Sequence, residues 1–187
     1  MRPVFFLDMD DVLVVHPQYT SDQVKRAFKT SALDYPELWA ELVFPEAREN
    51  LQALHEEFCP QYVCSSRWTT FLTREQMQEV FRRTGLAFVA DNLHEHWTTP
   101  KGTGSARVTE IEDWFWDHRQ PEPMEYLVLV LDDHESGWNL HESRMDRQGL
   151  VVLCDPAVGF VREKLLDAQR LLRAQAGALA GAQGLAN

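Results

Sequence analysis

Short, uninterrupted apolar runs alternate with amphipathic stretches along this chain, and polar residues stand directly behind several of the runs. Val4-Phe5-Phe6-Leu7 is continuously apolar and ends on Asp8, as expected of a strand buried on both faces of a parallel sheet. Tyr62-Val63-Cys64 stops at Ser65-Ser66, and the strongest run, Tyr126 to Leu131, stops at Asp132-Asp133. Leu150 to Leu153 adds a further strand, and Leu86 to Val89 reads as the third in chain order. Helical stripes lie between them. Ala47, Leu51, Leu54 and Phe58 share one face before Pro60. Thr73 and Gln76 form a capping box ahead of Met77, Val80 and Phe81, with Gly85 as the stop. Val108, Ile111, Trp114 and Phe115 mark another helix, in which Trp114 and Trp116 read as packing residues, and Val161, Leu165 and Leu172 mark the last.

Strands alternating with helices predict a doubly wound α/β domain with right-handed crossovers. Residues 16–45, punctuated by His16-Pro17, Tyr35-Pro36 and Phe44-Pro45, read as a loop-rich insertion with one short helix. From Ala174 the chain is rich in Ala, Gly and Gln, which predicts a domain over 1–173 and a fraying or disordered tail over 174–187.

Six Trp and ten Phe in 187 residues carry too much apolar surface to leave in water, so the bulk of the chain folds, by length as one domain. Eighteen basic against 29 acidic residues give a net charge of -11. That argues against a general nucleic-acid coat and leaves room only for a local basic groove. No apolar run approaches the ~18 residues of a membrane span, so a cytoplasmic location with no membrane partner is expected. The three Cys lack CxxC spacing, which disfavours a disulfide or zinc framework, and His94-Glu95-His96 reads as a surface loop.

The polar stops carry the candidate chemistry. In open α/β sheets the carboxyl ends of the strands face the ligand crevice, so Asp8, Asp10, Ser65, Ser66, Asp132 and Asp133 converge there. Carboxylates gathered at one edge repel, and a bound cation keeps them ionised. Oxygen ligands alone favour Mg²⁺ over zinc. A serine hydroxyl and a guanidinium, that of Arg107, are left to hold an anion beside the metal. Metal, anion grip and a carboxylate nucleophile together describe phosphoryl transfer.

These residues resemble the motifs of the haloacid dehalogenase (HAD) superfamily. Phe5 to Leu13, an apolar strand followed by Asp8-Met9-Asp10, is similar to motif I, Val63-Cys64-Ser65 to motif II, Arg107 to motif III, and Leu129 to Asp133 to motif IV. Ser65-Ser66-Arg67-Trp68, the helix from Arg107 to Trp114 and Gly149-Leu150 look further like the HAD domain of Swiss Army knife RNA repair proteins. Two positions depart from the usual pattern: Asp11 stands where Gly is common, and Lys101 rivals Arg107 as the motif III base.

The resemblance implies a HAD-like Rossmannoid fold, with a parallel five-stranded sheet in the order 3-2-1-4-5, helices on both faces and residues 16–45 as a small cap. It implies Asp8 as nucleophile, Asp10 as acid and base, and Ser65, Ser66 and Arg107 as phosphate ligands. Mg²⁺ would be held by Asp8, Asp10 through its carbonyl, and Asp132, Asp133 or both. Trp68, Trp97 and Trp138 fall on loops expected to rim the crevice, and Trp68 and Trp138 are candidates to stack on a nucleobase. The expected function is Mg²⁺-dependent phosphomonoester hydrolysis through an aspartyl phosphate, on nucleotide or nucleic-acid ends, with no obligate protein partner evident. The alternatives are a phosphatase for a small metabolite and a catalytically silent module that binds phosphate-bearing ligands or a partner.

Overall fold

Parallel pairing explains why so many strands are apolar throughout. The computed structural model describes residues 1–30, 35–102, 106–118, 120–121 and 125–184. Strands β1 (Val4–Leu7), β2 (Gln61–Cys64), β3 (Leu93–Thr98), β4 (Val128–Asp133) and β5 (Val151–Cys154) form one sheet in the order β3-β2-β1-β4-β5. Every pairing is parallel. Helices α1 (Ser21–Lys29), α2 (Pro36–Glu41), α3 (Pro45–Phe58), α4 (Arg74–Arg83), α5 (Ala87–Asp91), α6 (Arg107–Asp117), α7 (Arg144–Arg147) and α8 (Arg162–Gly184) surround it.

Side chains alternate across each strand, so the sheet divides the core in two. Phe5, Leu7, Tyr62, Cys64, Leu129 and Leu131 pack with Leu51 of α3, Val80 of α4 and Leu165 of α8. Phe6, Val63, Val128 and Val130 face the other way, against Ile111 and Trp114 of α6 and Met145 of α7. Both faces are therefore covered, as the expected architecture requires. Among the described residues no helix is long and apolar enough to cross a membrane.

Several boundaries differ from expectation, each for a local reason. The run Leu86 to Val89 is not a strand: Gly85, at φ +81°, ends α4, and the chain re-enters a helical turn as α5. The third strand is instead Leu93–Thr98, which absorbs the expected His94-Glu95-His96 loop. It is buried only at Leu93 and His94 and opens toward solvent from Glu95 onward, so it lacks the apolar run of the other strands. Among its described residues the insertion holds two helices rather than one, α1 opened by the Thr20–Gln23 capping box and α2 by Pro36 at its first position. The helix α8 runs without a break past the boundary expected at 173. Gln175, placed by composition in the tail, is buried and binds both the N–H and the carbonyl of Val128 at 3.0 Å.

Register delivers the functional groups. Leu7 pairs with Cys64 on one side and with Leu131 on the other, so the next residues, Asp8, Ser65 and Asp132, emerge level at the carboxyl edge. Beyond β1 the chain makes one tight turn, with the Leu13 and Val14 N–H groups donating to the Met9 carbonyl. Asp11 occupies that turn at φ 60°, a left-handed conformation that Asp tolerates better than most residues. The usual glycine is thus not needed. The turn is braced from below: the Phe160 N–H donates to the Val12 carbonyl at 2.9 Å, and Asn50 of α3 holds the Phe160 carbonyl at 2.9 Å.

Candidate active site

Asp8, Asp132 and Asp133 are all buried, and each offers a carboxylate oxygen within 4.8 Å of the others. The Met9 N–H fixes Asp8 Oδ1 at 2.9 Å, and the Asp133 N–H fixes Asp132 Oδ1 at 3.0 Å. Burial and the Asp8 charge push the Asp132 carboxyl up to about 8, although Arg107, Ser136 and a backbone N–H pull the other way. Three carboxylates in this volume are costly to ionise together without a counter-charge. Asp132 Oδ2 is buried and has no aligned hydrogen-bond partner. A buried all-oxygen set in which three carboxylates outnumber the one guanidinium beside them fits a hard divalent cation.

Arg107, the first residue of α6, is buried with them. Its Nη2 donates to Asp8 Oδ2 at 3.2 Å, and its Nε lies 2.7 Å from Asp132 Oδ2, an ion pair off the N–H direction. Burial opposes its charge, but Asp8, Asp132 and Glu110 outweigh burial and raise its pKa. Lys101 stands one layer further out. Its Nζ donates to the Ser65 carbonyl at 2.6 Å, to Thr99 Oγ1 at 2.8 Å and to Glu110 Oε2 at 2.7 Å. Burial and Arg107 lower its pKa against the pull of Glu110. Of the two rivals, then, Arg107 touches Asp8, while Lys101 fixes the backbone of Ser65. Ser65 Oγ is fully buried, with no hydrogen-bond partner among the described residues. Ser66 is otherwise engaged, because its hydroxyl caps the turn Arg67–Thr70 by accepting from the Trp68 N–H.

The Asp10 carboxylate stays outside the acidic trio and turns to Trp68, whose Nε1 donates to its Oδ2 at 2.8 Å. Burial raises Asp10 to about 6; the indole bond lowers it, and Asp8, Asp11 and Asp133 add to the rise. This contact corrects the stacking expectation for Trp68. Its indole is completely buried, with no face left for a base, because the turn after Ser66 folds it inward. Trp97 lies within β3 and packs on the core. Trp116, expected to pack, is 84% exposed on the outer side of α6. Trp138 follows the acidic turn and is 69% exposed.

Sequence reasoning missed Ser136. Its hydroxyl lies 2.9 Å from Asp8 Oδ2 and 2.8 Å from Asp132 Oδ1, and it also contacts Asp133 Oδ2. The Ser-Gly pair three residues after an Asp is a turn signature that would have flagged it. Glu110 was missed too, although it lies one helical turn beyond Arg107 and joins it to Lys101.

A parallel sheet in this order, with an Asp-x-Asp turn behind the central strand and an acidic pair at the end of its neighbour, defines a HAD-type α/β domain. The family described as the HAD domain in Swiss Army Knife RNA repair proteins matches residues 4–165, and the chain belongs to it. Comparison with curated proteins and with solved structures gives no significant match.

Proposed function

We propose that this protein is a Mg²⁺-dependent phosphomonoester hydrolase that works through an aspartyl phosphate on Asp8. The carrying observation is the pairing of a buried acidic trio with a free anion grip. Asp8 shares one edge with Asp132 and Asp133, while Arg107 points at it and the Ser65 hydroxyl stands without a partner. When bound, Mg²⁺ offsets the negative charge of the trio and of the phosphoryl group.

Asp8 attacks phosphorus, so that a carboxylate–phosphorus bond forms as the bond to the leaving oxygen breaks. Ser65 Oγ and Arg107 hold the phosphoryl oxygens as charge builds on them. Asp10 gives its proton to the leaving oxygen, then takes one from the water that splits the acyl phosphate and releases inorganic phosphate. A carboxyl raised to about 6 by burial can serve in both directions near neutrality. Trp68 keeps it aimed.

Nucleotide or nucleic-acid ends are the preferred substrates. The exposed Trp138 indole, two residues beyond Ser136, offers a base a stacking face, and the family's link to RNA repair supports the same reading. Residues 16–45, with helices of 9 and 6 residues, serve as a small cap that suits a bulky substrate. The net charge of -11 favours a second reading, a small metabolite phosphate. Asp11, fitted into its turn at φ 60°, weighs against a silent binding module.

The test is a panel of mononucleotides, end-phosphorylated oligonucleotides, sugar phosphates and an aryl phosphate, each with Mg²⁺ and with EDTA. Turnover is expected with Mg²⁺, highest on the nucleotides, and lost in Asp8→Asn without loss of fold. Full activity in EDTA or in Asp8→Asn overturns the mechanism.

A further inference from the structure

The turn behind β4 delivers a hydroxyl to a position that hydrogen bonding alone does not explain. Ser136 Oγ faces Asp8 Oδ2 at 2.9 Å, Asp132 Oδ1 at 2.8 Å and Asp133 Oδ2. A serine hydroxyl has one proton and two lone pairs, so it donates to one acceptor at a time. Toward the other two it presents lone pairs, which repel any of those carboxyl groups that is ionised. With all three ionised, one contact of the three is accounted for.

This placement is also built rather than incidental. Asp133 Oδ1 accepts from the Glu135 N–H at 2.6 Å and from the Ser136 N–H at 2.9 Å, and the Gly137 N–H donates to the Asp133 carbonyl at 3.0 Å. These bonds fold residues 133–137 back over the trio. A Cβ on Gly137 would lie 2.7 Å from the Asp133 carbonyl oxygen and 2.9 Å from Asp132 Oδ1, so only glycine permits the closure. With Oδ1 held by two amides, Asp133 turns its other oxygen inward. Ser136 itself remains exposed to solvent, whereas the three acids beneath it are buried.

We propose that Ser136 Oγ is the fourth side-chain oxygen of the divalent-cation site, a neutral ligand added to the carboxylates of Asp8, Asp132 and Asp133. This rests on the metal-dependent reading above. A cation accepts lone pairs from all four oxygens at once, which converts the repulsive arrangement into a consistent donor set. A neutral fourth ligand also keeps the ligand charge lower than a further carboxylate would, which weakens binding and favours exchange.

The experiment is calorimetric titration of Mg²⁺, Mn²⁺ and Cd²⁺ into the substrate-free full chain, for the wild type and for Ser136→Ala, Ser136→Cys and Ser136→Asp. Thermal unfolding checks that each variant is folded. Ser136→Ala is expected to weaken Mg²⁺ and Mn²⁺ by about tenfold or more, and Ser136→Asp to tighten both. Ser136→Cys is expected to gain Cd²⁺ affinity over Ser136→Ala by about tenfold or more, because thiolate prefers a soft ion. The native cysteines are common to both variants and cancel. If Ser136 only donates a hydrogen bond, removing it leaves the same charge on the trio with one donor fewer to offset it, so unchanged or tighter Mg²⁺ binding in Ser136→Ala overturns the proposal. So does a Cys variant with no Cd²⁺ gain. A wild type that binds no divalent ion strikes the metal-dependent reading itself and the proposal with it, and is recognised before any variant is compared.

Discussion

Trp68→Phe separates the two jobs assigned to a buried indole. In the native chain the ring fills the core, and its N–H donates to the Asp10 carboxylate at 2.8 Å. Phenylalanine keeps an aromatic ring and removes the donor. A hydrogen bond to a charged group is worth about 1.5–3 kcal/mol. If that contribution is expressed in the transition state, kcat falls about 10- to 100-fold, since about 1.4 kcal/mol is one decade. The smaller ring costs a further ~1–3 kcal/mol of packing, or roughly 2–4 °C in Tm for each kcal/mol at this chain length. KM should hold, because the indole exposes no surface to substrate. The assay is steady-state hydrolysis of an aryl phosphate and of a mononucleotide at saturating Mg²⁺, well below the variant's Tm. A kcat within about twofold of wild type, alongside a lowered Tm, refutes the positioning role and leaves Trp68 as core. A selective rise in KM for the nucleotide restores the stacking role that burial argues against.

Other predictions address the electrostatics and the scaffold. Burial raises Asp132 to about 8 and Asp10 to about 6, above the ordinary carboxylate value, so between those limits the native state binds more protons than the unfolded chain. Their contribution to stability is full below about pH 4 and is lost as pH rises through 6 and 8. In EDTA, Tm should fall from pH 5 to pH 8.5 more steeply than in Asp132→Asn, and Mg²⁺ should restore more at pH 8.5; equal slopes in the two proteins contradict this. Gly159→Ala places a Cβ 2.6 Å from Val15 Cγ1 and 2.7 Å from the Val12 carbonyl oxygen at φ +70°. It should lose about 2–4 kcal/mol in urea unfolding, and a loss under about 0.5 kcal/mol would show that the turn bearing Asp10 is not braced there. Trp138→Ala should raise KM for a nucleotide by about tenfold, from a stacking contact of ~1–3 kcal/mol, while leaving an aryl phosphate nearly unchanged; equal effects on both count against stacking.

Much of the site was legible because parallel strands turn sequence order into position. Once Val4–Leu7, Tyr62–Cys64 and Val128–Leu131 are read as neighbours, the residues that follow them must meet at one edge, and Asp8, Ser65 and Asp132 do. What escaped the reading depends on contacts that no periodicity encodes. The third strand is an edge strand with uneven cover, so its polar residues hid it, while the apolar Leu86 to Val89 stretch beside it formed a helical turn. Trp68 stands just beyond a strand end in the sequence, but its burial follows from a tight turn after Ser66 that local composition does not reveal. Gln175 lies in a low-complexity stretch yet serves two groups of Val128, a long-range pairing invisible to composition. Ser136 reaches the trio only through turn closure around Asp133.

Covalent transfer to Asp8 is tested most directly by acid quenching during turnover of an aryl phosphate with Mg²⁺, followed by peptide mass spectrometry. A phosphoryl adduct is expected on Asp8, absent from Asp8→Asn and accumulating in Asp10→Asn, where a good leaving group departs unaided but water is no longer activated. Turnover with no adduct in either the wild type or Asp10→Asn, or an adduct on any other residue, would contradict the mechanism.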